Sequence, residues 1–126
     1  MEPHRFQLKV YLEDTDAQGI VYHANYLNYL ERARTEILEL NGKSPVEAEW
    51  RYVVHEVQLK FHQPGLLGDS LEVRTVGKRA SAFRMTFEQK VFRAAEDKPL
   101  VSGEVHVVCI GPTGELTELP TDLLGA

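Results

Sequence analysis

Residues 13–40, EDTDAQGIVYHANYLNYLERARTEILEL, decide how this chain is read. Two acids, Asp14 and Asp16, stand one residue apart. Gly19 follows, and Ile20-Val21-Tyr22-His23-Ala24-Asn25 leads into a pattern of helical period. Tyr26, Leu30, Ala33, Ile37 and Leu40 recur at spacings of three and four, with Leu27 and Leu38 widening the stripe. Glu31, Arg32, Arg34, Glu36 and Glu39 mostly fill the remaining face, where solvated charges are expected. Asn25 is the expected N-cap and Asn41-Gly42 the stop. The spacing predicts a helix from about Tyr26, roughly 16 residues and ~24 Å long.

This places a carboxylate beside a helix start. The first N–H groups of a helix lack intrahelical partners and carry partial positive charge, so they polarise a carbonyl oxygen or hold an anion. A nearby carboxylate serves as base or nucleophile on the same carbonyl.

Outward from this stretch, the period falls to two. Phe6, Leu8, Val10 and Leu12 alternate with polar residues from Arg5 to Glu13, predicting a half-buried strand that ends near Asp14. After a polar connector from Ser44 to Arg51, which holds Pro45 and Trp50, come four strand patterns: Tyr52 to His62, Ser70 to Val76, Ala82 to Arg93 and Leu100 to Ile110. Short links suggest that successive strands are antiparallel neighbours. Leu116 to Ala126 carries no assignable pattern. One strand, one helix and four strands predict a single α+β domain, an antiparallel sheet of four to five strands with one helix on one face. The other face and the free edges then need burial or blunting, which points to a homo-oligomer.

Composition narrows the function. A chain of 126 residues with a formal charge of −5 has no cationic excess for nucleic acid. Residues 74–98 are nevertheless rich in Lys and Arg, so a small anionic ligand fits. The lone Cys109 excludes an intrachain disulfide and sits in an apolar run, as a buried thiol does. No run is long and apolar enough for a membrane span or a signal peptide, so a cytoplasmic protein without membrane insertion is expected. His4, His23, His55, His62 and His106 are too scattered for a metal site, and no GxGxxG, P-loop or GxSxG motif is present.

The pattern Tyr11-x-x-Asp14-Thr15-Asp16-x-x-Gly19-x-Val21-Tyr22-His23-x-x-Tyr26, continued by Tyr29-x-Glu31-Arg32-Ala33-Arg34-Thr35-Glu36, resembles the hotdog-fold acyl-CoA thioesterases. The resemblance is to the 4-hydroxybenzoyl-CoA thioesterase group and its Tol-Pal-associated branch. Phe61-x-x-Pro64-x-x-x-Gly68-Asp69 adds a second match, and the resemblance covers nearly the whole chain. The resemblance implies a curved sheet wrapped around the helix, homodimers or homotetramers, and acyl-CoA bound across a subunit interface. An acyl carrier protein in place of coenzyme A stays open, and no cofactor is implied beyond the coenzyme A of the substrate.

It also implies site residues. Asp16 matches the catalytic carboxylate; by spacing alone it reads as a turn residue bonding its own backbone. His23 matches the Tol-Pal-branch histidine, and its N–H holds the position that polarises the thioester oxygen. Tyr22 is expected to line the acyl or pantetheine channel or to pack. Gly19 is expected to permit a special backbone conformation or close ligand approach. Lys78, Arg79 and Arg84 are candidates for the phosphates of coenzyme A, with ordinary surface charge as the plainer role. Asp14 reads as support for the turn or the helix end, and Asp69 as a turn residue. A non-catalytic acyl-CoA sensor or scaffold and a dehydratase are the competing readings.

Overall fold

Alternation forms strand β1 (His4–Lys9), but it stops short of the predicted Glu13. The Val10 N–H leaves the ladder for the carbonyl of Asp69, and Leu12–Asp14 wind into a 3-10 turn. The Asp14 carboxylate closes that turn by accepting the Tyr11 N–H at 2.8 Å. The structure, a computed structural model, describes residues 2–120 except 45 and 47–49. Pro45 and half of its connector therefore lie outside the described residues, as does the tail beyond Pro120.

Helix α1 (Asn25–Leu40) has the expected 16 residues, but its cap differs. Ala24 is the N-cap, without a side-chain bond, and Asn25 is the first helical residue. The Asn25 side chain donates its amide N–H to Asp14 Oδ1 at 2.9 Å, and its amide oxygen accepts from the Asn28 amide at 2.7 Å rather than from a backbone N–H. The C-terminus ends as expected, with Gly42 at φ +74°.

Four strands follow: β2 (Arg51–Phe61), β3 (Ser70–Arg79), β4 (Arg84–Arg93) and β5 (Pro99–Ile110). With β1 they form one antiparallel sheet in the order β1-β3-β4-β5-β2. One expected pairing is corrected here: β2 lies beside β5, not β3, although only residues 62–69 separate β2 from β3. That link crosses the end of the sheet and is spent on seating residues 19–21. Strand β3 also continues through Gly77 to Arg79, beyond its expected end at Val76.

One face of the sheet takes the helix. Leu71 and Val73 of β3, Met85, Phe87 and Val91 of β4, and Val101, Val105, Val107 and Cys109 of β5 are buried beneath Tyr26, Tyr29, Leu30, Ala33 and Leu38. The opposite face is blunted by charge: Glu72 pairs with Arg5 at 3.1 Å and Arg74 at 2.8 Å, and Arg74 stacks 3.8 Å over Phe92. Cys109 is buried as expected, and burial pushes its thiol pKa up.

Arg34, expected among the solvated charges, is instead nine-tenths buried. Its guanidinium donates to Gln89 Oε1 at 3.0 Å, while Gln89 Nε2 donates to the Leu30 carbonyl and to Thr75 Oγ1. This polar network ties the middle of α1 to β3 and β4, each amide bond gaining strength from the low dielectric around it.

Candidate active site

Asp14 is the anchor of the segment. It is buried, and its two carboxylate oxygens take the Tyr11 N–H and the Asn25 amide. Its carbonyl accepts the Tyr22 N–H at 2.9 Å. The start of α1 is thereby bound to the 3-10 turn, the support role expected from sequence. The Tyr29 hydroxyl is buried beside this carboxylate without a partner in hydrogen-bond geometry; burial first, and the Asp14 charge second, raise its pKa.

Asp16 sits in the loop that this anchor holds out. Thr15 and Val21 bridge, and the Asp16 N–H bonds the Ile20 carbonyl at 2.9 Å, so residues 16–20 form a closed turn. Gly19 makes the turn with φ +78°. A Cβ there would meet no atom within 4 Å, so its requirement is backbone conformation, not close packing. Asp16 Oδ1 accepts the Gln18 N–H at 2.8 Å, the turn bond of the plainer reading. Its second oxygen takes no donor among the described residues, and the side chain is half-buried.

The far side of the loop rests on residues 62–69. The Val21 N–H bonds the Gly65 carbonyl at 2.8 Å, Ile20 bridges Leu66, and the Leu67 N–H bonds the Gly19 carbonyl at 3.1 Å. Gly65 donates to the Tyr26 hydroxyl, and a Cβ on it would lie 3.1 Å from both that oxygen and Val21. Asp69 is the turn residue expected, accepting the Leu66 N–H, and it also pairs with Arg93 at 2.9 Å. Arg93 in turn donates to the Pro64 carbonyl. From sequence, His62-Gln63-Pro64-Gly65 and Leu67-Gly68-Asp69 read only as turn punctuation between strands and Arg93 only as one of the basic residues of 74–98, so neither the packing role of Gly65 nor the pairing of Arg93 is foreseen.

His23 stands at the helix entrance with its ring exposed. It lies 4.7 Å from the Tyr22 ring and 6.2 Å edge-on to Phe61, centroid to centroid, and Tyr22 and Phe61 are themselves half exposed. No hydrogen bond joins the Asp16 and His23 side chains. The first turn of α1 is loose, with Tyr26 N–H to His23 O at 3.4 Å. The N–H groups of His23 and Ala24 meet no acceptor among the described residues. The segment thus carries a carboxylate with a free oxygen on its loop, and two free N–H donors with an open aromatic surface at the helix entrance that follows.

Lys78, Arg79 and Arg84 are not part of that group. They cluster where β3 ends and β4 begins, whereas Ser70 at the other end of β3 adjoins the loop. Nine residues of strand put ~30 Å between the two ends. Arg79 is held by the carbonyls of Ala82, Leu119 and Pro120.

A sequence model of the thioesterase-like superfamily matches residues 10–126. The chain belongs to the thioesterase-like superfamily. Within it, the acyl-CoA thioester hydrolase YbgC of Escherichia coli is 36% identical over 111 residues, 86% of this chain and 82% of that protein. The acyl-CoA thioesterase YbgC of Helicobacter pylori is 39% identical over 84 residues, 67% of this chain and 63% of that protein. A 1,4-dihydroxy-2-naphthoyl-CoA thioesterase from Synechocystis superposes with a TM-score of 0.87 at 26% identity, covering 94% of this chain and 90% of that one. This superfamily member has the hotdog fold that its sequence indicates, an α+β domain of one helix on a five-stranded antiparallel sheet. No helix among the described residues is long and apolar enough to cross a membrane.

Proposed function

We propose that this thioesterase-like protein hydrolyses acyl-CoA thioesters in the cytoplasm. Water and the thioester give the free acid and coenzyme A, and the scheme needs no cofactor beyond the coenzyme A of the substrate. The observations that support the reading are the free carboxylate oxygen of Asp16 on a pinned loop and the unpaired N–H of His23, seven residues further on at the helix entrance. Asp16 attacks the thioester carbonyl or activates water for the attack. The N–H of His23 faces the oxygen on which negative charge develops, a contribution of about 3 kcal/mol for one such donor. The His23 ring assists by orienting water or protonating the departing thiolate, which becomes the free thiol. Gly19 sets the loop and Tyr22 lines the pantetheine path.

Lys78, Arg79 and Arg84 are too far from Asp16 of their own chain to meet its substrate. In this reading they serve the phosphates of a substrate bound to a second copy. The same copy covers β2, an edge strand with Val53, Val54 and Phe61 exposed. A homodimer, alone or paired into a homotetramer, satisfies both needs.

The test is thiol release by the purified protein across short, long and aromatic acyl-CoA and the matching acyl carrier protein thioesters. The reading expects saturable release of free thiol and acid. Saturable binding without thiol release would instead indicate a sensor, and an unsaturated product with its thioester intact a dehydratase.

A further inference from the structure

Helix α1 leans on β1 and β3, to one side of the sheet. The helix-facing residues of β2 are consequently only partly covered, with Val54 41% and Phe61 51% exposed. Glu31, Arg34, Thr35 and Leu38 recur along the side of the helix that faces them. Between the second half of α1 and the sheet lies a cavity of about 60 Å³, with Val54, Met85 and Phe87 among its apolar walls and Glu31, Arg34, Thr35 and Tyr52 among its polar ones.

Arg34 is unusual here. A guanidinium carries five N–H donors. Only one bond from this one is made, to Gln89, and no carboxylate lies within ion-pair distance among the described residues. Burial lowers its pKa, with Glu31 as the opposing influence. Its other donors are not sealed off but belong to a side chain that lines the cavity, where an acceptor would gain a hydrogen bond that a bare hydrocarbon tail cannot supply. A terminal carboxylate would supply one, but it would meet the Glu31 charge on the same wall. A hydroxyl suits both groups, accepting from Arg34 and donating to Glu31.

We propose that this cavity binds the distal hydroxyl of a linear acyl group. The inference rests on the thioesterase reading only for where the acyl group enters. From the helix start to Arg34 is nine residues, ~14 Å of helix. With ordinary carbon–carbon geometry that distance is spanned by a chain of roughly ten carbons. The volume admits a terminal hydroxymethyl group, a water molecule claiming about 30 Å³ in the liquid.

Calorimetric titration of the Asp16→Asn protein with decanoyl-CoA, 10-hydroxydecanoyl-CoA and decanedioyl-CoA tests this without relying on turnover. The hydroxylated chain should bind about fivefold tighter than decanoyl-CoA, the gain of one hydrogen bond. Decanedioyl-CoA should show no such gain. Adding Arg34→Met should bring the hydroxyl preference to about one. Glu31→Gln, at an exposed position, should move preference toward the diacid even if Arg34→Met does not fold. Equal or tighter binding of decanoyl-CoA, a hydroxyl preference untouched by Arg34→Met, or a diacid affinity unmoved by Glu31→Gln, would overturn the proposal. A wild-type protein that shows the hydroxyl preference yet releases no thiol would overturn the hydrolase reading alone.

Discussion

Asp14 and Asp16 are the same side chain, one residue apart, in two different situations. Asp14 is buried with both oxygens and its carbonyl committed to Tyr11, Asn25 and Tyr22. Asp16 is half-buried and spends one oxygen on a turn bond, leaving the other open. A carboxylate whose acceptors are all used holds structure. One with an unused oxygen on a loop is available for chemistry, provided something else fixes the loop. Here the fixing is done by Asp14 from one side and by residues 62–69 from the other.

Substitutions around the two acids probe this division. Asp14→Ala should be the most damaging to the fold, because it strands the Tyr11 N–H and the Asn25 amide in a buried place. A loss of about 3 kcal/mol is expected in denaturant unfolding; a loss below 1 kcal/mol would show that Asp14 anchors nothing. Arg93→Met releases the other support by freeing Asp69 and the Pro64 carbonyl. Its stability cost should be smaller, about 1.5 kcal/mol after discounting for solvent, with turnover falling more than stability accounts for. Unchanged kinetics would mean that the loop does not seat the Asp16 turn.

Tyr29→Phe should have the smallest effect. It removes a buried hydroxyl that meets no proper partner, so stability should stay within ~1 kcal/mol of wild type or rise. Its raised pKa favours the neutral phenol in the folded state. That contribution is complete below the ordinary value of 10.0 and is lost as pH climbs from there toward the folded value. Melting curves between neutral and strongly alkaline pH should therefore fall less steeply in Tyr29→Phe. An equal slope would locate the alkaline loss elsewhere, with Tyr26, also raised by burial, as the next group to vary.

The elements were legible because their periods are local. Leu30, Ala33 and Leu38 announce a helix, and Leu71 and Val73 a strand, from nearest neighbours alone. Strand order was not, since residues 62–69 look like a hairpin link when their hydrogen bonds to Gly19 and Val21 are unseen. Arg34 was misplaced for a similar reason: an arginine in a helix reads as solvated, and the glutamine that receives it stands 55 residues away. At the site, Asp16 and His23 were marked by motif rather than by spacing, which alone favoured a turn aspartate. The structure gives that turn bond its place and leaves an oxygen over. Nothing periodic marks Gly65 or Arg93, whose roles exist only once the loop has crossed the sheet.

The central claim is that chemistry belongs to Asp16 and architecture to Asp14. It is tested most directly by thiol release from an acyl-CoA that the wild type cleaves, measured for Asp16→Asn and Asp14→Asn alongside the melting temperature of each preparation. Asp16→Asn should melt like wild type and lose about a thousandfold in kcat/KM, whereas Asp14→Asn should melt lower and keep measurable turnover. An Asp16→Asn protein that retains most of its activity would contradict the account.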